Sequence, residues 1–171
     1  MFDSLDEESK KSQITLIIIW SAMVMALFVY LFVCYMILEM NTMTFMKTPE
    51  FLNEAFIAGL SYKFIAYLST IFIFIIAQIN SKKMYNKNVE QTKNENIVDI
   101  NEEFKFFRTR YTTSMFISLA IYESIAIIGI IIFLTTGDII TFTTFVFITF
   151  LGFITVAPTK NRLNYKKEFI N

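Results

Sequence analysis

The sequence predicts an all-α, polytopic membrane protein: four transmembrane helices arranged as two antiparallel hairpins, with a cytoplasmic amphipathic helix between them. Three observations carry that expectation. Hydrophobic residues fill 55% of the chain, with twenty Phe against four Gly and two Pro. Four apolar runs reach the length of about 17–25 residues that crosses a hydrocarbon core. Lys and Arg collect in alternate connecting segments, as cytoplasmic loops of multi-span proteins do.

The totals also exclude whole classes of function. Fifteen basic residues balance fifteen acidic ones, so the basic excess that a nucleic-acid partner requires is missing. There is no His, and the single Cys34 lies within an apolar run. The usual zinc and haem ligand sets and the Ser-His and Cys-His catalytic pairs therefore cannot be built. The expectation is no cofactor, no metal and no enzymatic activity.

Residues 1–13 are acidic first and basic last, a solvated cytoplasmic lead-in. Ser4 and Glu7 fit the capping-box spacing for a helix start. The apolar run after them is too long for the h-region of a cleaved signal. Ile14 to Leu38 is uncharged over about 25 residues and predicts the first span. Trp20 and Tyr30 lie inside it and are expected to pack; Tyr35 sits where an interfacial aromatic belongs.

Ala55 to Asn80 predicts the second span, closing a first hairpin over 14–80, and it contains Lys63. That lysine falls roughly 6 Å from the middle of the run at 1.5 Å per residue. Two fates are open to it. Its side chain can snorkel to the nearer interface, or it can turn inward and pair with a buried carboxylate.

The stretch 81–110 is the one sizeable hydrophilic segment. Ile97, Ile100, Phe104, Phe107 and Tyr111 recur at spacings of three and four, the signature of an amphipathic helix. Such a helix would lie along the headgroups with Lys105, Arg108 and Arg110 towards anionic lipid, or else dock a soluble partner.

Tyr111 to Gly137 predicts the third span and carries the residue that most needs explaining, Glu123. A charge at the centre of a spanning helix costs roughly 2.5–3.5 kcal/mol on insertion scales. Ala120, Ser124 and Ala126 flank it, and small residues let helices approach closely. After a tight turn at Gly137, Ile139 to Ala157 predicts the fourth span and completes a second hairpin over 111–158, with a basic tail at 159–171. The charge distribution places both termini in the cytoplasm of a plasma-membrane protein.

Residues 120–131, Ala-Ile-Tyr-Glu-Ser-Ile-Ala-Ile-Ile-Gly-Ile-Ile, resemble the carboxylate-bearing helix of rotor-ring c subunits, the proteolipids of F-type and V-type ATPases. The resemblance implies that Glu123 carries an ion and that Ala126 and Gly129 are helix-packing positions. Four spans with one carboxylate are similar to the doubled V-type subunit. The likeness is confined to about a dozen residues, and the family's glycine-rich helix has no counterpart here.

Three functions stand open from sequence: a c-subunit-like subunit that translocates protons or ions through Glu123, a non-catalytic membrane scaffold or accessory subunit, and a small transporter with Glu123 and Lys63 as its polar site. The partners expected are the lipid bilayer and either further copies of the chain or other subunits of a membrane complex.

Overall fold

The computed structural model describes residues 2–40, 45, 47–57, 60–94, 100–159 and 162. Four helices dominate: α1 (Phe2–Glu39), α2 (Tyr62–Asn94), α3 (Ile100–Thr136) and α4 (Ile139–Thr155). Between α1 and α2 come a 3-10 turn, Pro49–Asn53, and two short strands, β1 (Ala55–Ile57) and β2 (Leu60–Ser61), paired antiparallel with Ile57 opposite Leu60. Apolar stretches long enough to cross a membrane occupy Gln13–Glu39, Tyr62–Thr92 and Lys105–Thr136, and α4 is a shorter apolar helix.

The helix boundaries differ from the sequence expectation, most plainly at the starts of α1 and α2 and at the end of α2, which runs to Asn94. The helix α1 already runs from Phe2, so Ser4 and Glu7 lie within it instead of capping it. Residues 55–61 are as apolar as the first turns of α2, which is why they read as part of a span. They form the β pair, and α2 begins only at Tyr62. Tyr62 is fixed there by stacking on Phe51, with ring centroids 4.6 Å apart, and by its amide donating to the Glu54 carbonyl.

The centre of the molecule is α3, which packs along its length on α2 and α4. Its buried residues, among them Leu119, Tyr122, Ala126 and Phe133, meet Phe142, Phe145 and Phe153 of α4. The pairing is antiparallel: Gly129 abuts Phe142 and Phe145, and Tyr122 abuts Gly152. The reversal is made by Gly137 at φ +74°, a left-handed conformation open to glycine at no steric cost. The Lys47 amide donates to the Thr135 carbonyl, which brings the α1–α2 connection to the same end as this turn.

The first helix lies on α3 and α4 along one stripe. Leu16, Trp20, Met23, Leu27, Tyr30, Cys34 and Ile37 are its buried or half-buried members. Their alternating spacing of four and three is a 3.5-residue repeat, the seam along which one helix packs on another. Away from the stripe, α1 between Ile14 and Leu38 carries exposed apolar side chains, with Ile18 63% and Phe32 65% exposed.

Exposed large apolar side chains run from Ile14 to Leu38 on α1, Phe64 to Ile79 on α2, Phe116 to Leu134 on α3 and Ile140 to Ile154 on α4. At 1.5 Å per residue these bands are about 21–36 Å tall, which brackets the ~30 Å of a hydrocarbon core. Soluble monomers rarely expose contiguous apolar patches beyond a few hundred Å². The helices α2 and α3 continue past one edge of the belt, where exposed Lys82, Lys83, Lys87 and Lys105 replace the apolar residues.

The amphipathic helix expected to lie on the headgroups and bend into the third span is the first part of α3, in one helix with its apolar stretch. Ile97 and the side chains of Ile100 and Phe104 lie outside the described residues. Phe107 does not face headgroups. It is 0% exposed, edge-on to Tyr85 of α2 at 6.4 Å and stacked on Tyr111 at 6.1 Å. The apolar spacing was real, but the surface it covers is the extension of α2. Polar contacts close the same seam: Asn88 Nδ2 donates to Ser114 Oγ at 2.6 Å, and Arg110 donates to Gln91.

Candidate functional site

Consecutive residues on a helix point about 100° apart, and α3 uses this at Tyr122 and Glu123. Tyr122 turns towards α2 and α4, fully buried, with its ring 5.4 Å from that of Phe74. Glu123 turns towards α1 and is half-buried, about midway along the apolar band. There the hydroxyl of Tyr30 donates to its Oε1 at 3.0 Å.

Tyr30 fastens α1 by this polar contact, and Trp20 fastens it by another, its indole Nε1 donating to the Phe153 carbonyl at 2.9 Å. That carbonyl belongs to the last turn of α4 and also accepts from the Val156 amide at 3.2 Å. The two contacts lie ten residues apart on α1, on either side of Leu27.

Lys63 does not pair with Glu123. Because α2 starts at Tyr62, Lys63 stands in its first turn at the end of the bundle, and its Nζ lies 3.1 Å from Asp138 Oδ2. Glu123 is fifteen residues before Asp138, roughly 20 Å further along α3. One ammonium cannot serve both carboxylates, and the geometry assigns it to Asp138.

Asp138 is the N-cap of α4. Its carboxylate accepts from the Thr141 amide at 3.0 Å and from the Thr141 hydroxyl at 2.7 Å, besides Lys63. Burial raises the carboxyl pKa, but the Thr141 hydrogen bonds and the Lys63 ammonium outweigh that and hold it below its ordinary value.

Of the small residues beside Glu123, Ala126 and Gly129 lie in the packed seam, Ser124 is half-buried with its hydroxyl donating to the Ile121 carbonyl, and Ala120 is exposed. Among the described residues no group of three Cys, Asp or Glu side chains converges in a way that would hold a metal ion. Sequence reasoning missed Tyr30 as the partner of Glu123, and the repeat from Leu16 to Ile37 was the signal that marks it. It also missed Asp138 as a cap, although Asp with Thr141 three positions later carries that information.

Comparison with protein-family models, with curated proteins and with solved structures finds no match.

Proposed function

We propose that the chain is a four-span integral membrane protein with a structural role, a scaffold or accessory subunit whose mid-membrane carboxylate fastens one helix to the rest. The spans would be α1 to α4, both termini and the basic α2–α3 extension facing the cytoplasm by the bias of Lys and Arg. The observation that carries this reading is the hydrogen bond from Tyr30 to Glu123. A carboxyl group within lipid is normally turned to another helix and partnered. Here the partner is a neutral hydroxyl on the helix that has the least other attachment.

The competing reading is proton or ion translocation by a c-subunit-like subunit, and it is favoured by Glu123 being only half-buried at mid-belt. Reconstituted vesicles separate the two. On the structural reading, wild-type vesicles show no proton flux above protein-free vesicles, and Glu123→Gln, which keeps an acceptor for Tyr30, leaves α1 as protected from hydrogen exchange as before. A wild-type proton flux abolished by Glu123→Gln would overturn the structural reading in favour of the other.

A further inference from the structure

The basic edge of the apolar belt holds a cleft of about 560 Å³ between α2, the end of α4 and the segment after it. Volumes of ~300–1,000 Å³ are those of small-molecule sites. One wall is a single face of α2, where Gln78, Lys82 and Asn86 succeed one another at intervals of four. Arg162 stands in the opposite wall. Its backbone is anchored twice, since its amide donates to the Thr159 carbonyl at 3.1 Å and its carbonyl accepts from the Tyr85 hydroxyl at 3.5 Å.

Among the described residues the lining therefore offers Lys82, Arg162 and the side-chain amides of Gln78 and Asn86, and no carboxylate; Arg162 also lines a smaller pocket with Tyr111. Glu90 lies in an adjoining, more open groove that shares Ile79, Lys82 and Asn86 with the cleft and adds Lys83 and Lys87. Cations and amide donors converging on one space are the recognition set for phosphate oxygens. A free phosphate would need no more than that. This cleft has in addition an apolar side, because Ile79, 61% exposed, lines it and belongs to the belt.

We propose that the cleft binds the phosphate of an anionic phospholipid, the acyl chains running along α2 from Ile79. The assignment rests on the membrane reading above. It adds to that reading a specific lipid held where the spans give way to the basic extension.

The test uses the full chain in phosphatidylcholine vesicles, with and without phosphatidylglycerol, then mild detergent extraction and native mass spectrometry of the lipids retained. Insertion into vesicles is scored separately, by resistance to carbonate extraction. A chain that fails to insert removes the membrane reading and this proposal together, whereas a chain that inserts without lipid preference removes this proposal alone.

The expected result is phosphatidylglycerol retained over phosphatidylcholine by about tenfold or more, with Lys82→Gln and Arg162→Gln each lowering the preference about fivefold. Lys82 is exposed, so its substitution does not disturb packing and reads binding alone. Lys87→Gln removes the same charge outside the cleft and should lower the preference clearly less than Lys82→Gln does, since the cleft keeps its own ammonium and guanidinium and only the general attraction of a basic surface to anionic lipid is weakened. Equal retention of the two lipids, or an equal loss in Lys87→Gln, would overturn the proposal. Displacement of the lipid by millimolar inorganic phosphate would identify free phosphate as the ligand and overturn the lipid assignment.

Discussion

Tyr122 of α3 lies flat against Gly152 of α4, so closely that a Cβ built on the glycine would fall 2.6 Å from both Cγ and Cε1 of the ring. The tyrosine is fixed from several sides. Its carbonyl shares the Thr149 hydroxyl proton, at 3.2 Å, with the Phe145 carbonyl at 3.0 Å, and its own hydroxyl lies 3.3 Å from Thr155 Oγ1. Thr155 already gives its proton to the Gly152 carbonyl, so Tyr122 is the donor in that pair. Gly152→Ala should force the ring or the helix aside and cost about 1–3 kcal/mol, the usual penalty of overpacking a core. Thermal unfolding in detergent checks this. Tyr122→Leu in the same background should recover part of the loss, and a fully stable single variant would show that α3 and α4 do not approach as described.

The contact between Tyr30 and Glu123 makes a quantitative prediction of its own. Interhelical hydrogen bonds within membranes average about 0.6 kcal/mol and reach about 1.7 kcal/mol. Tyr30→Phe should lower stability by an amount in that range, and its effect should vanish in a Glu123→Leu background. A double-mutant cycle measures the coupling directly. Independent, additive effects would mean that the two side chains do not meet.

The range of each interaction decides whether it could be read from sequence. Apolar runs are local, so all four helices were visible, and the helical spacing of Phe107 and Tyr111 was visible too. The surface that the spacing covers is not local. Phe107 meets Tyr85, and nothing in residues 97–111 says whether an apolar face will find lipid, a partner or another helix of the same chain. The pairing of Lys63 with Glu123 failed for a related reason: residues 55–61 share the composition of a span, and only the pairing of Ile57 with Leu60 moves the helix start to Tyr62 and the lysine to the end of the bundle. Glu123 was conspicuous because a lone charge in an apolar run stands out, whereas Tyr30, its partner, looks like any other packed aromatic until the repeat along α1 is drawn.

Asp138 gives the protein a definite response to acid. Its carboxyl pKa is held below the ordinary value in the folded state, so its contribution to stability is fully present above the unfolded value of about 3.9. That contribution is lost as the pH falls through the lower folded value. Melting temperature measured downward from neutral pH should therefore hold until about pH 4 as far as this group is concerned and decline below it. Asp138→Asn should remove this part of the decline while keeping the cap on α4, because Asn caps as well as Asp, and its cost near neutrality comes from the lost ion pair with Lys63. Lys63→Met should narrow the acid-dependent part without abolishing it, because the Thr141 hydrogen bonds remain. A pH profile identical in wild type and Asp138→Asn would refute the assignment.

The last prediction concerns the part of α3 that leaves the belt. If residues 100–111 rested on headgroups, Phe107→Ala would weaken association with vesicles and leave the detergent-solubilised protein as stable as before. The structure gives the opposite expectation. Phe107 is fully buried between Tyr85 and Tyr111, so its removal leaves a cavity within the protein in any solvent. Truncating a buried Phe costs about 3–5 kcal/mol, and the loss should appear in detergent micelles and in vesicles alike. Hydrogen exchange should show it locally, with faster exchange around Asn88 and Thr92 of α2, the buried polar residues that face this seam. Arg108→Gln, on the same turn but only half-buried, should change stability by no more than about 0.5 kcal/mol. That contrast ties the loss to packing between α2 and α3, because a headgroup contact would be sensitive to the charge and not to the ring.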